Sequence, residues 1–320
     1  MSLLVDLDAF FAENPLSDGE GILSAPPGFR SGFIALCGRP NAGKSTLMNA
    51  LVGQKVAITS ATPQTTRNRI RGILTLPASQ MVFVDTPGLH KPHDLLGEQL
   101  NAQATSALDD VDIVAMVVDS TKPVGTGDEW VAASVAASPA AKMLVLSKSD
   151  IASPDQTAQQ FERARDLAPW DAVVSLSAVS GYNTGAFLDE VLQLLPEGPL
   201  WFPEDAVSDV ALETMIAEVV REKVLRHFRE EVPHSVGVKV DELEDGRSLL
   251  RAEASIFVER DSQKAMLIGA KGAQVKQIGT RSRADLEQMF HKRVYLGLKV
   301  KVKKNWRKDE HEIKRLGYME

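Results

Sequence analysis

The chain has 320 residues, of which 44% are hydrophobic and 25% are charged, a composition typical of a soluble globular protein long enough for two domains. Its one cysteine excludes a disulfide scaffold, and no apolar run approaches the roughly 18 residues that a membrane span requires. The formal net charge of −7 is uneven, because residues 261–320 carry about +8 and the remainder about −15. This asymmetry predicts a polyanion-binding face near the C-terminal end.

Residues 1–30 are acidic and contain three prolines, and they lack the basic start of a targeting peptide. We interpret them as a mostly disordered extension, with Leu3–Phe11 as a candidate amphipathic turn. Together with the single cysteine, this favours a cytoplasmic protein.

Residues 31–196 are predicted to form an α/β domain with a mainly parallel sheet covered by helices on both faces, because short apolar strands alternate with helical periodicity. The predicted strands are Phe33–Cys37, Ile70–Thr75, Gln80–Val84, Ile113–Asp119, Met143–Ser147 and Ala172–Leu176. The predicted helices are Leu95–Leu108, Asp128–Ala136, Gln156–Asp166 and Thr184–Leu195.

The segment from Gly38 to Ser45 has the pattern G-x-x-x-x-G-K-S, and it lies between an apolar strand and a helical stretch. That context is typical of a phosphate-binding loop, in which backbone N–H groups approach phosphate oxygens, Lys44 adds a positive charge and Ser45 offers a hydroxyl to Mg²⁺. The predicted nucleotide-binding residues of this loop are Arg39, Pro40, Asn41, Ala42, Gly43, Lys44, Ser45 and Thr46.

Two further segments complete the predicted phosphate and metal site. Asp85-Thr86-Pro87-Gly88 ends an apolar strand, where Asp85 can hold the water shell of Mg²⁺ and the N–H of Gly88 can reach a γ-phosphate. In the polar loop between residues 58 and 67, Thr66 is favoured as the second Mg²⁺ ligand, and Thr65 is the alternative. Lys44, Thr66 and Gly88 are the predicted catalytic set.

Guanine recognition is predicted from two strand ends. Asp150 can accept from the N1–H and N2–H₂ donors of guanine, and the aliphatic part of Lys148 can cover the base. A backbone N–H of Ser177-Ala178-Val179 can meet guanine O6. In this order, the four elements resemble the signature of the GTPase superfamily.

Leu89 follows Gly88 where many GTPases carry a catalytic glutamine. A leucine cannot orient the attacking water, so slow intrinsic hydrolysis is expected. His90 and His93 are nearby, and solvated bystanders are the favoured interpretation. Asn41 occupies the position found in potassium-assisted GTPases, so K⁺ is a further candidate cofactor.

The C-terminal half is predicted to be a second, α+β domain. A proline-rich linker at residues 197–206 is followed by a domain at 207–308 and a tail at 309–320. A long amphipathic helix, Val207–Phe228, precedes the strands Ser235–Val240 and Ser248–Val258, and the last strand is Arg293–Val302.

A G-x-x-G segment lies between two helical stretches of this domain and predicts a KH-type clamp, in which closely approaching backbone holds about four nucleotides of single-stranded RNA. The predicted RNA-binding residues are Ile268, Gly269, Ala270, Lys271, Gly272, Lys276, Lys303 and Trp306. For Trp306, stacking on a base and capping the core are both open.

Together these motifs resemble the Era family of bacterial GTPases, which has a TRAFAC-class GTPase domain followed by a type II KH domain. The resemblance is carried by Gly38–Ser45, Gln64-Thr65-Thr66-Arg67, Asp85–Gly88, Arg221-Glu222-Lys223, Glu231-Val232-Pro233 and Ile268–Gly272, and it covers about residues 31–310. It implies GTP, GDP and Mg²⁺ as ligands and GTP hydrolysis as the activity. It also implies a mostly monomeric protein that binds the 3′ end of 16S ribosomal RNA, serves assembly of the small ribosomal subunit and has peripheral membrane contact at most.

Two departures from that family bear on affinity. Ser147 stands where the family has asparagine, and serine is too short to brace both the phosphate-binding loop and the purine. Ala270-Lys271 makes the clamp less basic than the two-lysine form common in the family. We therefore expect weaker nucleotide binding and modest RNA affinity.

Two other interpretations stay open at this point. One is a P-loop small-molecule kinase, against which Asp150 and Ser177-Ala178 argue because they match guanine. The other is a non-enzymatic RNA-binding protein that uses nucleotide only structurally.

Overall fold

The computed structural model describes residues 25–60, 62, 65–89, 92, 94–228 and 232–318. Most of the predicted N-terminal extension, including Leu3–Phe11, lies outside these residues, as do His90 and His93. None of the described helices is long and apolar enough to cross a membrane.

The N-terminal domain contains a six-stranded sheet of order β2-β3-β1-β4-β5-β6. All neighbouring strands are parallel except β2, which pairs antiparallel with β3 at one edge. The strands are β1 (Arg30–Cys37), β2 (Ile70–Leu76), β3 (Ser79–Asp85), β4 (Ile113–Asp119), β5 (Ala141–Ser147) and β6 (Ala172–Ser175). The helices are α1 (Lys44–Val52), α2 (Leu95–Ser106), α3 (Thr126–Ala137), α4 (Pro154–Ala164) and α5 (Thr184–Leu194). The predicted mainly parallel sheet is confirmed.

Helices cover both faces of this sheet because its central strands are apolar on both sides. In β1, Ile34 and Leu36 belong to one core cluster, while Ala35 and Cys37 belong to another. Burial raises the pKa of the Cys37 thiol to about 12, so this side chain acts as a small apolar core residue. The carboxyl ends of β1, β3, β4 and β5 meet at one edge, where loops from separate parts of the sequence converge.

The predicted linker lies against the sheet rather than spanning a gap. The Gln80 side chain accepts from the backbone N–H groups of Trp201 and Phe202 and donates to the Phe202 carbonyl, and Phe202 is buried. Ser208 then forms an extended bridge with Gly72 of β2. This extended segment explains why the next helix begins at Leu212 and not at the predicted Val207.

The C-terminal domain has a three-stranded sheet of order β7-β8-β9, in which β8 and β9 are parallel. Its elements are α6 (Leu212–His227), α7 (Val232–Ser235), β7 (Gly237–Asp245), β8 (Leu249–Val258), α8 (Asp261–Ile268), α9 (Ala273–Phe290) and β9 (Arg293–Val302). Buried residues of α6, α8 and α9 pack with those of the sheet in one core cluster. The predicted α+β arrangement is confirmed, although β7 begins two residues later than predicted because Val232–Ser235 is helical.

The segment predicted as a C-terminal tail is folded. Residues Glu310–Arg315 form helix α10, and Ile313, Leu316 and Tyr318 are buried. They pack with Trp306 and Phe257 of the C-terminal domain and with Leu96 and Leu100 of α2. This cluster therefore joins the two domains.

Candidate functional site

The loop between β1 and α1 has the backbone geometry of an anion cradle. Gly38 has φ of 140°, and a Cβ atom there would lie 2.4 Å from the Val117 carbonyl oxygen. Gly43 and Asn41 also have positive φ, so successive N–H groups curve around one point at the start of α1.

Lys44 lies inside this cradle. Its Nζ donates to the carbonyl oxygens of Gly38 at 3.1 Å and Arg39 at 3.2 Å, and the side chain is buried. Burial lowers the pKa of Lys44, while Asp85 opposes that shift. A buried cation held by carbonyl oxygens is well placed to gain an anionic partner such as phosphate.

Three oxygen-bearing side chains converge beside it. The hydroxyl of Ser45 donates to Asp85 Oδ2 at 2.5 Å, Thr66 donates to the same oxygen at 3.0 Å, and the two hydroxyl oxygens lie 3.0 Å apart. Thr65 instead donates to the Thr62 carbonyl, so Thr66 and not Thr65 lies next to Asp85.

This cluster fits a hard divalent cation. Asp85 is fully buried, and burial raises the pKa of its carboxyl group although Lys44 opposes the shift. Within the described part of the chain, the buried Oδ1 of Asp85 has no hydrogen-bond partner. A buried carboxylate oxygen beside two hydroxyls is a donor set that Mg²⁺ prefers.

Gly88 closes the same cleft from the other side. A Cβ atom at Gly88 would lie 2.8 Å from Pro40 N, so only glycine permits this approach. The cleft has a volume of about 200 Å³, and its lining includes Pro40, Asn41, Gly43, Lys44, Ser45, Thr46, Thr66, Gly88 and Lys148. Leu89 is buried in the core, which keeps it away from any attacking water.

The predicted base pocket is assembled from two strand ends. Lys148 has φ of 61°, and its Nζ donates to the Asn41 carbonyl at 2.8 Å and to Asp119 at 2.7 Å. Burial alone would raise the pKa of Asp119, but hydrogen bonds from Lys148 and Thr121 hold it below its ordinary value. Asp119 therefore fixes Lys148, a contact that the sequence analysis missed because aspartates at strand ends are common.

Asp150 is exposed, two residues after Lys148. It accepts a hydrogen bond from the Ser177 hydroxyl at 2.6 Å, which orients the carboxylate. In the same loop, Ala178 is half-buried and Val179 is exposed. The structure thus brings two of the predicted guanine-facing residues, Asp150 and Ser177, into contact.

Ser147 contacts the phosphate-binding loop directly. Its Oγ lies 2.7 Å from the Ala42 carbonyl oxygen and 3.0 Å from the Val118 carbonyl oxygen. Serine therefore supplies the bracing contact from β5 to the loop.

The G-x-x-G segment forms a tight turn between α8 and α9. Gly269 has φ of 69° and ψ of 179°, Lys271 has φ of 51°, and Gly272 has φ of 78°. Ala270 and Lys271 are exposed at the tip of the turn, and Lys276 is exposed on the first turns of α9. Ile268 is half-buried at the end of α8.

The edge strand β9 lies beside the two helices that flank this turn. Both α8 and α9 contact β9, and the half-buried side chains of Leu296, Leu298 and Val300 lie on the helix side of the strand. An apolar floor beside a turn with accessible backbone suits unstacked nucleobases.

Two predicted RNA-binding residues have other partners. Trp306 is fully buried, its Nε1 donates to the Ser235 carbonyl, and its ring packs near Tyr318. Stacking of Trp306 on a base is therefore wrong, and capping of the core is the observed role. Lys303 pairs with Glu312 at 2.9 Å, which offsets part of its charge.

Comparison with known proteins identifies both domains. A family model described as a 50S ribosome-binding GTPase matches residues 33–148, and a KH domain model matches residues 231–307. The chain is 43% identical over 304 residues to the GTPase Era of Nocardioides sp. (strain ATCC BAA-499 / JS614), covering 91% of this chain and 97% of that one. It is 40% identical over 292 residues to the GTPase Era of Staphylococcus haemolyticus (strain JCSC1435), covering 91% and 98%.

Two solved structures are similar over the same extent, each at 34% identity and a TM-score of 0.88, covering 91% of this chain and 100% of the other. One is Era in complex with MgGDPNP and nucleotides 1506–1542 of 16S ribosomal RNA, and the other is a single-residue variant of Aquifex aeolicus Era bound to GDP·AlF₄⁻. The kinase and non-enzymatic interpretations are thereby set aside in favour of GTP hydrolysis. The chain belongs to the Era family of GTPases, with a GTPase domain followed by a KH domain.

Proposed function

We propose that this protein captures the single-stranded 3′ end of 16S ribosomal RNA between the G-x-x-G turn and β9, and that its GTPase domain controls the capture during assembly of the small ribosomal subunit. The observation that carries the proposal is the exposed turn Gly269–Gly272 beside an apolar edge strand. The relative bound to nucleotides 1506–1542 supports the choice of RNA.

We assign the phosphates of GTP to the loop around Lys44 and the guanine to Asp150, Lys148 and the backbone of residues 177–179. Ser45, Thr66 and Asp85 are the residues that would hold Mg²⁺, which when bound neutralises charge on the β- and γ-phosphates. Thr66 and Gly88 would meet the γ-phosphate from two sides. Their loss of contact after hydrolysis would free both loops that carry them.

Leu89 leaves the attacking water without a side-chain base at that position, so we expect slow turnover of the isolated protein. Asn41 motivates a role for K⁺, and equal hydrolysis rates in K⁺ and Na⁺ would remove that role. We place the protein in the cytoplasm and expect a monomer. Sedimentation with vesicles tests whether it also makes peripheral membrane contact.

The RNA assignment is tested with the double variant Ala270→Asp and Lys271→Asp. Binding of a labelled single-stranded RNA with the sequence of 16S nucleotides 1506–1542 should be lost, because carboxylates would meet the sugar-phosphate chain where the backbone must approach it. GTP hydrolysis without RNA should be unchanged.

The matched control is His311→Asp with Lys314→Asp, which changes formal charge almost equally at exposed positions of α10. This control should weaken binding far less than the clamp variant. Equal losses in both variants would mean that net charge and not the clamp governs binding, and an unchanged affinity in the clamp variant would refute the assignment.

A further inference from the structure

The loop that carries Thr66 is hydrogen-bonded to helix α6 of the KH domain, beginning with its first residues. We call its described residues, 58–60, 62 and 65–67, the switch segment. The backbone N–H of Thr59 donates to Glu222 Oε1 at 3.1 Å. Arg226 donates to the Thr59 carbonyl at 3.1 Å and to its hydroxyl at 2.9 Å. Helix α6 therefore holds both backbone polar groups of one switch residue.

The later part of the switch segment is attached to the same helix. Nη2 of Arg221 donates to the carbonyl oxygen of Thr65, the residue before Thr66. Arg221 is itself fixed by Glu218, whose carboxylate accepts from Nε at 3.0 Å and from Nη2 at 2.6 Å. The position of Thr65 therefore follows the position of α6.

Helix α6 is an integral part of the C-terminal domain. Its buried residues Val219, Val220 and Val224 pack in the same cluster as β7, β8 and α9. Since packed interiors move as units, a displacement of this helix would be transmitted to the hydrogen bonds at Thr59 and Thr65.

Arg221 is a buried cation held by carboxylates of its own helix: burial alone would lower its pKa, but Glu218 and then Glu222 hold it above its ordinary value. It is fully buried, and within the described residues its Nη1 has no hydrogen-bond partner. That unpaired group costs free energy, while Nε and Nη2 of the same side chain are used to hold Glu218 and Thr65.

We propose that Arg221, Glu222 and Arg226 are positioning residues for GTP hydrolysis: from the KH domain they hold the switch segment so that the Thr66 hydroxyl lies at the carboxylate of Asp85. None of these three residues is among the described residues that line the nucleotide cleft. They act through the backbone of Thr59 and Thr65, and the cleft of one domain is thus completed by a helix of the other.

The alternative is that these residues only join the domains. Another interdomain arginine gives a matched comparison, because Arg71 of β2 pairs with Asp209 at 2.6 Å, just before α6, and makes no hydrogen bond to the described residues of the switch segment. If joining the domains were the whole role, loss of Arg71 and loss of Arg226 would have similar effects on hydrolysis.

The experiment uses the full chain without RNA and compares Arg221→Lys, Arg226→Gln and the control Arg71→Gln. Single-turnover GTP hydrolysis, GDP affinity and hydrogen exchange at the backbone amides of Thr59 and Thr66 in the nucleotide-free protein are measured. We expect hydrolysis to fall by about 10- to 100-fold in Arg221→Lys, less in Arg226→Gln and not in Arg71→Gln, because a small misplacement of a distant group is costly in rate.

GDP affinity should stay unchanged, and exchange at Thr59 should accelerate in Arg226→Gln. Unchanged hydrolysis in both test variants would overturn the proposal, as would equal losses in Arg71→Gln or a parallel loss of GDP affinity. Arg226 is exposed, so its variant decides the question even if Arg221→Lys does not fold.

Discussion

At the scale of single residues, the nucleotide site depends on short polar side chains that hold backbone in place. Ser147 is the clearest case, because its hydroxyl reaches the Ala42 carbonyl inside the phosphate-binding loop from the end of β5. Gly43 faces the same serine, since a Cβ atom added there would lie 3.8 Å from the Ser147 Oγ. The serine thus compensates for the missing asparagine on the loop side of the pocket.

Ser147→Ala should therefore weaken GDP binding. Loss of one buried hydrogen bond costs about 0.5–1.5 kcal/mol, which corresponds to roughly a 2- to 10-fold rise in Kd. Titration with a fluorescent GDP analogue measures the change.

Ser149→Ala is the matched control, since within the described residues the buried hydroxyl of Ser149 has no hydrogen-bond partner. It should leave the Kd almost unchanged. Equal effects of the two substitutions would contradict a bracing role for Ser147.

At the scale of elements, the G-x-x-G turn depends on its two glycines in different ways. Gly269 combines φ of 69° with ψ of 179°, a region open almost only to glycine, and a Cβ atom there would lie 2.4 Å from the Gln274 Cγ. Gly272 is in the ordinary left-handed region, and a Cβ atom there would meet nothing within 4 Å. The turn therefore requires glycine at 269, whereas position 272 also accepts a residue that tolerates a positive φ.

Gly269→Ala should lower the free energy of unfolding by about 1–3 kcal/mol or more, because strain and the contact with Gln274 add. Gly272→Asn should cost less than about 1 kcal/mol, since asparagine tolerates this backbone conformation. Urea denaturation of both variants measures the difference. A larger loss in Gly272→Asn would contradict the proposed division of roles.

Sequence reasoning succeeded for elements whose chemistry is local. The phosphate-binding loop, the segment from Asp85 to Gly88 and the G-x-x-G turn each carry their conformation in adjacent residues, so their spacing and the strands and helices that flank them predicted them. The parallel sheet followed from apolar strands alternating with helices. The start of α6 was misplaced, because its boundary is set by pairing of Ser208 with Gly72.

At the scale of the whole molecule, sequence reasoning failed where distant residues meet. Arg221 contacts Thr65 across 156 positions, and Trp306 contacts Ser235 across 71. Contacts between residues so far apart in the sequence cannot be predicted from a local sequence pattern. Trp306 lies in a basic stretch and was therefore a candidate for stacking on a base. In the structure it is buried against Tyr318 in the cluster that joins the two domains.

The residues around the C-terminal helix connect the two domains. Arg67 donates to the Val236 carbonyl and lies over the rings of Trp306 and Tyr318, at 5.6 and 5.2 Å from their centroids. The end of the switch segment is thus buried against residues near the C-terminus. Residues on either side of α10 therefore contact the switch segment, and α10 itself packs with Leu96 and Leu100 through Ile313.

Ile313→Ala should lower the free energy of unfolding by about 2–5 kcal/mol, because Ile313 is fully buried in the cluster that joins Leu96 and Leu100 to Trp306. His311→Ala is the matched control, since His311 is exposed on the same helix and should change stability by less than about 0.5 kcal/mol. Urea denaturation followed by tryptophan fluorescence measures both. If Ile313→Ala were as stable as the control, α10 would be a dispensable tail; the expected loss instead makes it a structural part of the domain contact.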